Sequence, residues 1–354
     1  MSKVNRIAVI PGDGIGVEVT AEAIKVLRAV EPRLHRAIDF THFDWGAERW
    51  LRDRTTLPDG AVDDFREHYA AIMFGALGDA RVPDGVVARD VLLGLRFKLD
   101  LYINLRPVKL IAEQLTPLKE RTPADIDMLV FRENTEGLYA GMGGNFKKDT
   151  PDEIAINEDV NTRKGVERIL RAAFEAARQR RKKLCMADKA NALPYAHGLW
   201  QRVFKQLQKE YSDIDSWHLY VDVAAMEMVR APERFDVLVT SNMFGDILTD
   251  LGAVIAGGLG LAASGNIHPG RCSLFEPVHG SAPDIAGKGL ANPLGAIGSA
   301  ALLLEHIGER EAAARVQAAI KRAVLEGMVT RDLGGNLSTS GCGSFVADAV
   351  AQTA

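Results

Sequence analysis

The sequence predicts an α/β fold built on a largely parallel sheet. Short apolar runs of strand length recur along the chain, and amphipathic helical stretches separate them. The first run, Ile7-Ala8-Val9-Ile10, reads as a buried strand. The turn Pro11-Gly12-Asp13-Gly14-Ile15-Gly16 follows, and then a helix with apolar positions at Val19, Ala23, Val26 and Leu27. That order suggests a dinucleotide fold, but the spacing argues against a Rossmann unit. The glycines fall at Gly12, Gly14 and Gly16 rather than as G-x-G-x-x-G, and no acidic residue follows a second strand in the right context. Residues 71–76 form a second apolar strand, followed by a helix through Val91, Leu92, Leu95 and Leu99. Strands are also predicted at 127–131, 183–187 and 235–240, with a long amphipathic helix over 161–178. Glycine-rich residues from Gly141 break the alternation up to Asp159, as a protruding arm would. The helix over 294–307 is rich in Ala and Leu and apolar on most faces, so it is predicted to be buried.

A chain of 354 residues has room for two domains. Its 47% hydrophobic and 25% charged residues are ordinary for a globular protein. The formal net charge of -4 offers no attraction to nucleic acid or to an anionic membrane. The basic run 178–183 lies at a predicted helix end, where cations complement the macrodipole, and reads as a solvated terminus. Cys185, Cys272 and Cys342 are too scattered for a disulfide framework or a metal site, which suits a reducing compartment. With no signal-like segment and no bilayer-length apolar span, the sequence reads as a cytoplasmic protein.

Several residue patterns point to chemistry. The segment 274–293 reads as a loop of small residues holding one His, one Asp and one Asn. Small residues let the backbone approach a ligand, and a carboxylate beside them suits the hydroxyls of an adenosine ribose; a plain Gly/Pro-rich surface loop fits equally well. Arg96, Arg106 and Arg132 stand near strand or helix ends. Guanidinium forks suit a small di- or tricarboxylate, although a single arginine is more often a surface ion-pair partner. Asp246 and Asp250 fall at i and i+4 of a helix start, a spacing that suits Mg²⁺ or Mn²⁺ or simply complements the helix dipole. Asp222 lies in an apolar run, so burial is predicted for it, with a partner to match. Lys189, at a strand end, could serve as a base, and Tyr139 as a proton donor.

Together these motifs resemble the β-decarboxylating dehydrogenases, the group containing isopropylmalate, isocitrate, homoisocitrate, tartrate and D-malate dehydrogenases. The resemblance rests on residues 11–16, Asn104-Leu105-Arg106-Pro107, residues 132–139, Lys189-Ala190-Asn191, residues 242–250 and the loop 274–293, all in family order. It implies an isopropylmalate dehydrogenase-like fold: a mixed, mostly parallel sheet flanked by helices, in two domains. Residues 1–101 and 257–354 would form a large NAD-binding domain. Residues 102–256 would form a smaller one carrying the dimer interface and an arm at about 141–160.

The resemblance also implies roles. Arg96, Arg106 and Arg132 would hold the two carboxylates of a 2-hydroxy dicarboxylate. Asp246, Asp250 and the partner subunit's Asp222 would bind Mg²⁺ or Mn²⁺. Lys189, also reaching across the homodimer, would take the C2 hydroxyl proton, and Tyr139 would protonate C3 after CO₂ leaves. NAD would meet Asn191, Glu276, His279, Gly280, Ser281, Ala282, Pro283, Asp284, Ile285, Asn292 and Asp332.

The substituent on C3 would be read by Arg89, Leu92 and Leu93. The leucine pair resembles isopropylmalate dehydrogenases, because an apolar pocket favours an alkyl group by about 0.8 kcal/mol per buried CH₂. Arg89 departs from the Glu typical there, and residues 82–84 and the arm look more like tartrate and D-malate dehydrogenases. The leading substrate is therefore 3-isopropylmalate, with tartrate or D-malate next and isocitrate or homoisocitrate after. A silent regulatory subunit should lack a base, a metal ligand or an arginine. Lys189, Tyr139, Asp222, Asp246 and Arg132 are all present.

Overall fold

The computed structural model describes residues 4–83 and 85–352, so Asp84 of the segment 82–84 lies outside the described residues. The chain forms two compact units. One comprises residues 1–101, 109–123 and 253–354; the other comprises 102–108 and 124–252. Residues 109–123, which the sequence boundaries left in the middle segment, group with the first unit.

In the first unit five strands lie in the order Ile38–His42, Asn5–Gly12, Ala71–Ala76, Ser273–Pro277 and Ala263–Ile267. All neighbours run parallel except the last pair. The central strands are apolar without alternation because both faces are covered. The helix Ile15–Val30 and the helix Leu294–His306 pack in the same core, which includes Val19, Val26, Ile297 and Leu303. The second helix buries ten of its residues, as its all-round apolar sequence predicts. A second cluster around Phe65, Phe74, Val91 and Leu95 anchors the segment before Arg96. That segment is not one α-helix: residues Ala88–Leu93 form a π-helical turn that runs directly into the helix Gly94–Lys98. The segment 274–293 is likewise not loop throughout. Its first residues belong to the wholly buried strand Ser273–Pro277. That strand lies between two others, so it needs no polar face and shows no alternation.

In the second unit the strand order is Ile103–Lys109, Asp127–Glu133, Val237–Thr240, Lys183–Asp188 and Asp215–Tyr220. The last four run parallel. Register aligns Thr240 with both Arg132 and Ala187, and Asp188 with Tyr220. Arg132, Asn242, Lys189 and Asp222 therefore leave the sheet along one carboxyl edge, where open α/β sheets bind ligands. The helix Arg163–Arg178 buries Val166, Ile169, Leu170, Ala173 and Phe174, and Thr162 caps it by accepting from the Gly165 amide. The arm is an antiparallel pair, Gly143–Phe146 with Ile154–Asn157, exposed at every position.

The basic run at 178–183 is not simply solvated. Arg180 Nε donates to Asp236 Oδ1 at 2.7 Å, and its Nη2 donates to Asp127 Oδ1 at 2.8 Å. The Arg181 amide donates to Asp236 Oδ2 at 2.7 Å. The Asp236 side chain is fully buried while that of Arg180 is 27% exposed. The pair ties the helix end to the start of two strands, and a buried carboxylate without these donors would be costly. Asp236→Ala should lower stability by roughly 3 kcal/mol in urea denaturation. A change below about 1 kcal/mol would show that the clamp is dispensable.

Candidate active site

Arg132 organises the second unit's site. It lies in the strand Asp127–Glu133 and is only 2% exposed. Asn242 Oδ1 accepts from Arg132 Nε at 3.0 Å and from Nη2 at 2.8 Å. Arg132 Nη1 pairs with Asp246 Oδ1. Asn242 Nδ2 also donates to the Glu136 carbonyl at 3.0 Å, which ties this clamp to the turn carrying Tyr139. Gly245 makes the approach possible, because a Cβ there would lie 2.5 Å from Arg132 Cγ. Sequence reasoning missed Asn242 as a clamp. Its signal was an amide two residues beyond an apolar strand, within the motif already singled out.

Arg106, 7% exposed, approaches the same helix Asn242–Ile255. Its Nη1 donates to Thr249 Oγ1 at 2.6 Å, and it lies 3.3 Å from Asp246 Oδ1 and 3.7 Å from Asp250 Oδ1. The i, i+4 spacing thus brings both carboxylates to one helical face, as the sequence predicts. Burial raises the Asp250 carboxyl above the ordinary range and Asp246 adds to this, while the guanidinium of Arg106 opposes it. Two hard carboxylates sharing a face form a donor set of the kind a divalent cation takes, completed by other oxygens. Among the described residues no third acidic, His or Cys side chain joins them into a metal-binding group.

Tyr139 Oη donates to Asp246 Oδ2 at 3.0 Å, and the Arg132 guanidinium carbon lies 5.4 Å from the ring centroid. Burial, with the Asp246 charge next, raises the phenol above its ordinary value. The hydroxyl therefore keeps its proton at neutral pH.

Lys189 and Asp222 form a pair of their own, with Lys189 Nζ donating to Asp222 Oδ1 at 2.7 Å. The prediction that Asp222 is buried is wrong: its side chain is 59% exposed. The apolar run splits there, with the strand ending at Tyr220 and the helix Val221–Arg230 beginning, so Asp222 falls in a solvated first turn. Its hydrogen bond with Lys189 holds the carboxyl below the ordinary range. Asn191 is exposed.

In the first unit, Arg96 Nη2 donates to Glu276 Oε1 at 2.8 Å, and Asn266 Nδ2 donates to the same oxygen at 2.8 Å. All three residues are buried. Glu276 thus orients Arg96 from the end of its strand. Asn266 is a second residue missed from sequence, since nothing local to Asn266 marks its partner ten residues away. The Arg89 side chain is 70% exposed and its Nε pairs with Asp90 Oδ1 at 3.2 Å, while Leu92 and Leu93 are half-buried.

The loop after Pro277 packs on the first glycine turn. The Ser281 carbonyl accepts from the Ile15 amide at 2.8 Å, and a Cβ on Gly14, whose φ is +56°, would lie 2.1 Å from that oxygen. Ala282 holds a left-handed φ of +38°, unusual for a residue with a Cβ. Beside them lies a cavity of about 270 Å³ lined by Asp13, Gly78, Val82, Ala88, Ser281 and Pro283. His279 Nδ1 faces the Gly280 carbonyl at 3.0 Å, so it carries the ring hydrogen. Nε2 is then a buried acceptor without a hydrogen-bond partner among the described residues, and burial lowers the imidazole below its ordinary value. Gly280, Pro283 and Asp284 are exposed and Ile285 is half-buried. Asn292 Nδ2 donates to Asp332 Oδ2 at 2.9 Å, fixing the far end of the loop.

The isocitrate/isopropylmalate dehydrogenase family profile matches residues 6–350. Curated relatives include a 3-isopropylmalate dehydrogenase from Thermobifida fusca, 51% identical over 98% of both chains. Another, from Mycobacterium tuberculosis, is 49% identical over 95% of this chain and 99% of its own. Among solved structures, an isocitrate dehydrogenase from Methylococcus capsulatus superposes with a TM-score of 0.88 at 40% identity, over 98% of this chain and all of the other.

The Tyr139–Asp246 contact has a titration signature. A difference titration against Tyr139→Phe should show Tyr139 ionising above the ordinary value near 10. Asp246→Asn should move that ionisation downward, because the neighbouring negative charge no longer opposes the phenolate. An unchanged midpoint would separate the phenol from Asp246.

Proposed function

We propose that this chain, which belongs to the isocitrate/isopropylmalate dehydrogenase family, oxidatively decarboxylates a 3-substituted malate, namely 3-isopropylmalate, with NAD and Mg²⁺ or Mn²⁺. The observation that carries the reading is the gathering of Arg106, Arg132, Tyr139, Asp246 and Asp250 at one carboxyl sheet edge. Two buried guanidinium groups, two acids and a protonated phenol meet the needs of a dicarboxylate, a cation and a proton transfer.

Arg106 and Arg132, with Arg96, bind the substrate carboxylates. Asp246 and Asp250, with Asp222 of the partner subunit, hold the cation. The orphaned lone pair of His279 Nε2 fits an amino group such as that of adenine, and the cavity beside Ser281 and Pro283 is lined by the same loop. NAD would supply the hydride acceptor for C2, and a cation held by Asp246 and Asp250 would supply the positive charge that offsets the one developing as CO₂ leaves. Lys189 removes the C2 hydroxyl proton, and Tyr139 delivers a proton to C3. The exposed Asp284 carboxylate repels a 2′-phosphate, which favours NAD over NADP.

The active unit in this reading is a homodimer, with Lys189 and Asp222 serving the partner's site. Exposed apolar residues support it: Phe146 and Ile156 on the arm, Met226 on the helix Val221–Arg230, and Ile247 on the helix Asn242–Ile255. An isolated two-stranded arm is marginal without something to pack against. The substrate reading rests on the half-buried Leu92 and Leu93 and on relatives named 3-isopropylmalate dehydrogenase. Tartrate or D-malate is the second reading, favoured by the positive charge of Arg89, whose side chain is 70% exposed.

Magnesium-dependent NADH formation over 3-isopropylmalate, D-malate, tartrate, isocitrate and homoisocitrate tests the substrate. The highest kcat/KM should fall on 3-isopropylmalate, with NAD preferred over NADP by at least about tenfold, worth about 1.4 kcal/mol. A higher kcat/KM with tartrate or D-malate would move the assignment to the second reading. Shared sites have their own test. Inactive Lys189→Ala and inactive Asp246→Asn chains should regain activity when mixed as heterodimers. No recovery in verified heterodimers would place each site within a single chain.

A further inference from the structure

We infer that His197 is a positioning residue for Lys189, fixing the lysine main chain through the lone pair on its Nδ1. The inference rests on the proposed role of Lys189 as the base.

The Lys189 amide donates to His197 Nδ1 at 3.0 Å. A main-chain amide only donates, so Nδ1 bears the lone pair and the ring hydrogen sits on Nε2. His197 is 1% exposed, which keeps water from replacing that acceptor. The surrounding chain closes on itself. The Lys189 carbonyl accepts from the Ala192 and Leu193 amides at 3.0 and 2.8 Å, and the His197 amide donates to the Leu193 carbonyl at 3.0 Å. The imidazole is therefore one of two side-chain bolts of a short loop, the other being Asp188, whose Oδ1 accepts from the Ala190 amide at 2.9 Å.

His197 also touches the segments that carry the other proposed functional groups. Its Nε2 lies 3.6 Å from Asp159 Oδ2, at the foot of the arm. The next residue, Val160, accepts from the Gly137 amide at 2.7 Å, two residues before Tyr139. The His197 ring lies 5.1 Å from the ring of Phe244, two residues before Asp246. One buried imidazole thus links the Lys189 loop, which in the proposed reading serves the partner's site, to the Tyr139 turn and the Asp246 helix of its own chain. Lys189 Nζ reaches Asp222 at 2.7 Å from a backbone held this way. Small displacements of a reacting group are costly, about 100-fold for 1 Å.

The test compares His197→Asn, His197→Gln, His197→Phe and Lys189→Met in the full-length enzyme with NAD, Mg²⁺ and the best substrate of the panel. Asn carries an acceptor near the position of Nδ1, Gln carries one near Nε2, and Phe keeps the ring volume with no acceptor. His197→Phe and His197→Gln should lower kcat by about 10–100-fold with KM changed less than about threefold, while His197→Asn stays within about threefold of wild type. Hydrogen exchange at the Lys189 amide should accelerate by at least about tenfold in His197→Phe and stay slow in His197→Asn. If Lys189→Met is inactive and His197→Asn falls as far as His197→Phe, the ring acts by packing alone and the inference is overturned. If Lys189→Met keeps full activity, the base assignment fails instead. The amide-exchange comparison then decides separately whether His197 fixes this backbone.

Discussion

A guanidinium buried to 2% exposure at the end of a strand cannot stand alone, and the second unit is arranged around that constraint at Arg132. Its donors require acceptors within hydrogen-bond reach. Asn242 supplies one oxygen to two of them, and Asp246 supplies a charge. Both acceptors lie in the first turns of the helix that follows the neighbouring parallel strand, so the register of that strand decides whether they arrive. Gly245 lets the helix backbone come close enough. The same demand recurs at Arg96, met by Glu276, whose Oε1 also accepts from Asn266 Nδ2.

This arrangement leaves the acids poised. Asp246 is shared between Arg106, Arg132 and the Tyr139 hydroxyl, and Asp250 stands one turn further along with Arg106 nearby. The arginines screen the repulsion between two carboxylates on one helical face. In the proposed reading stability and chemistry use the same contacts, because a site for anionic substrate and a cation needs charges of both signs held against their own desolvation.

Elsewhere the charges only hold the fold together. Asp236 is as buried as any carboxylate in the chain, yet it serves the junction of a helix end and two strands. The contrast with Asp222 is instructive. Asp222 looked buried in sequence and is solvated, whereas Arg180 looked solvated and is half-enclosed with two acids. Local hydropathy averages over a window. It does not register a strand giving way to a helix at one residue, nor a cation folding back under its own helix.

Local pattern determined the α/β class, the strands from Ile7 and Ala71, the buried helix Leu294–His306 and the i, i+4 spacing of Asp246 and Asp250, because each depends on neighbours within a few residues. The motif order also identified the family, which the match over residues 6–350 bears out. Only the tertiary structure decided that residues 273–277 are a strand, that residues 88–93 wind as a π-helical turn, that Asn242 holds Arg132, that Glu276, itself held by Asn266, orients Arg96, and that His197 accepts from the Lys189 amide. Asn242 and Arg132 are 110 residues apart in the chain. Whether such a pair meets depends on strand order and register, which are set by packing over the whole sheet rather than by either residue's own neighbours.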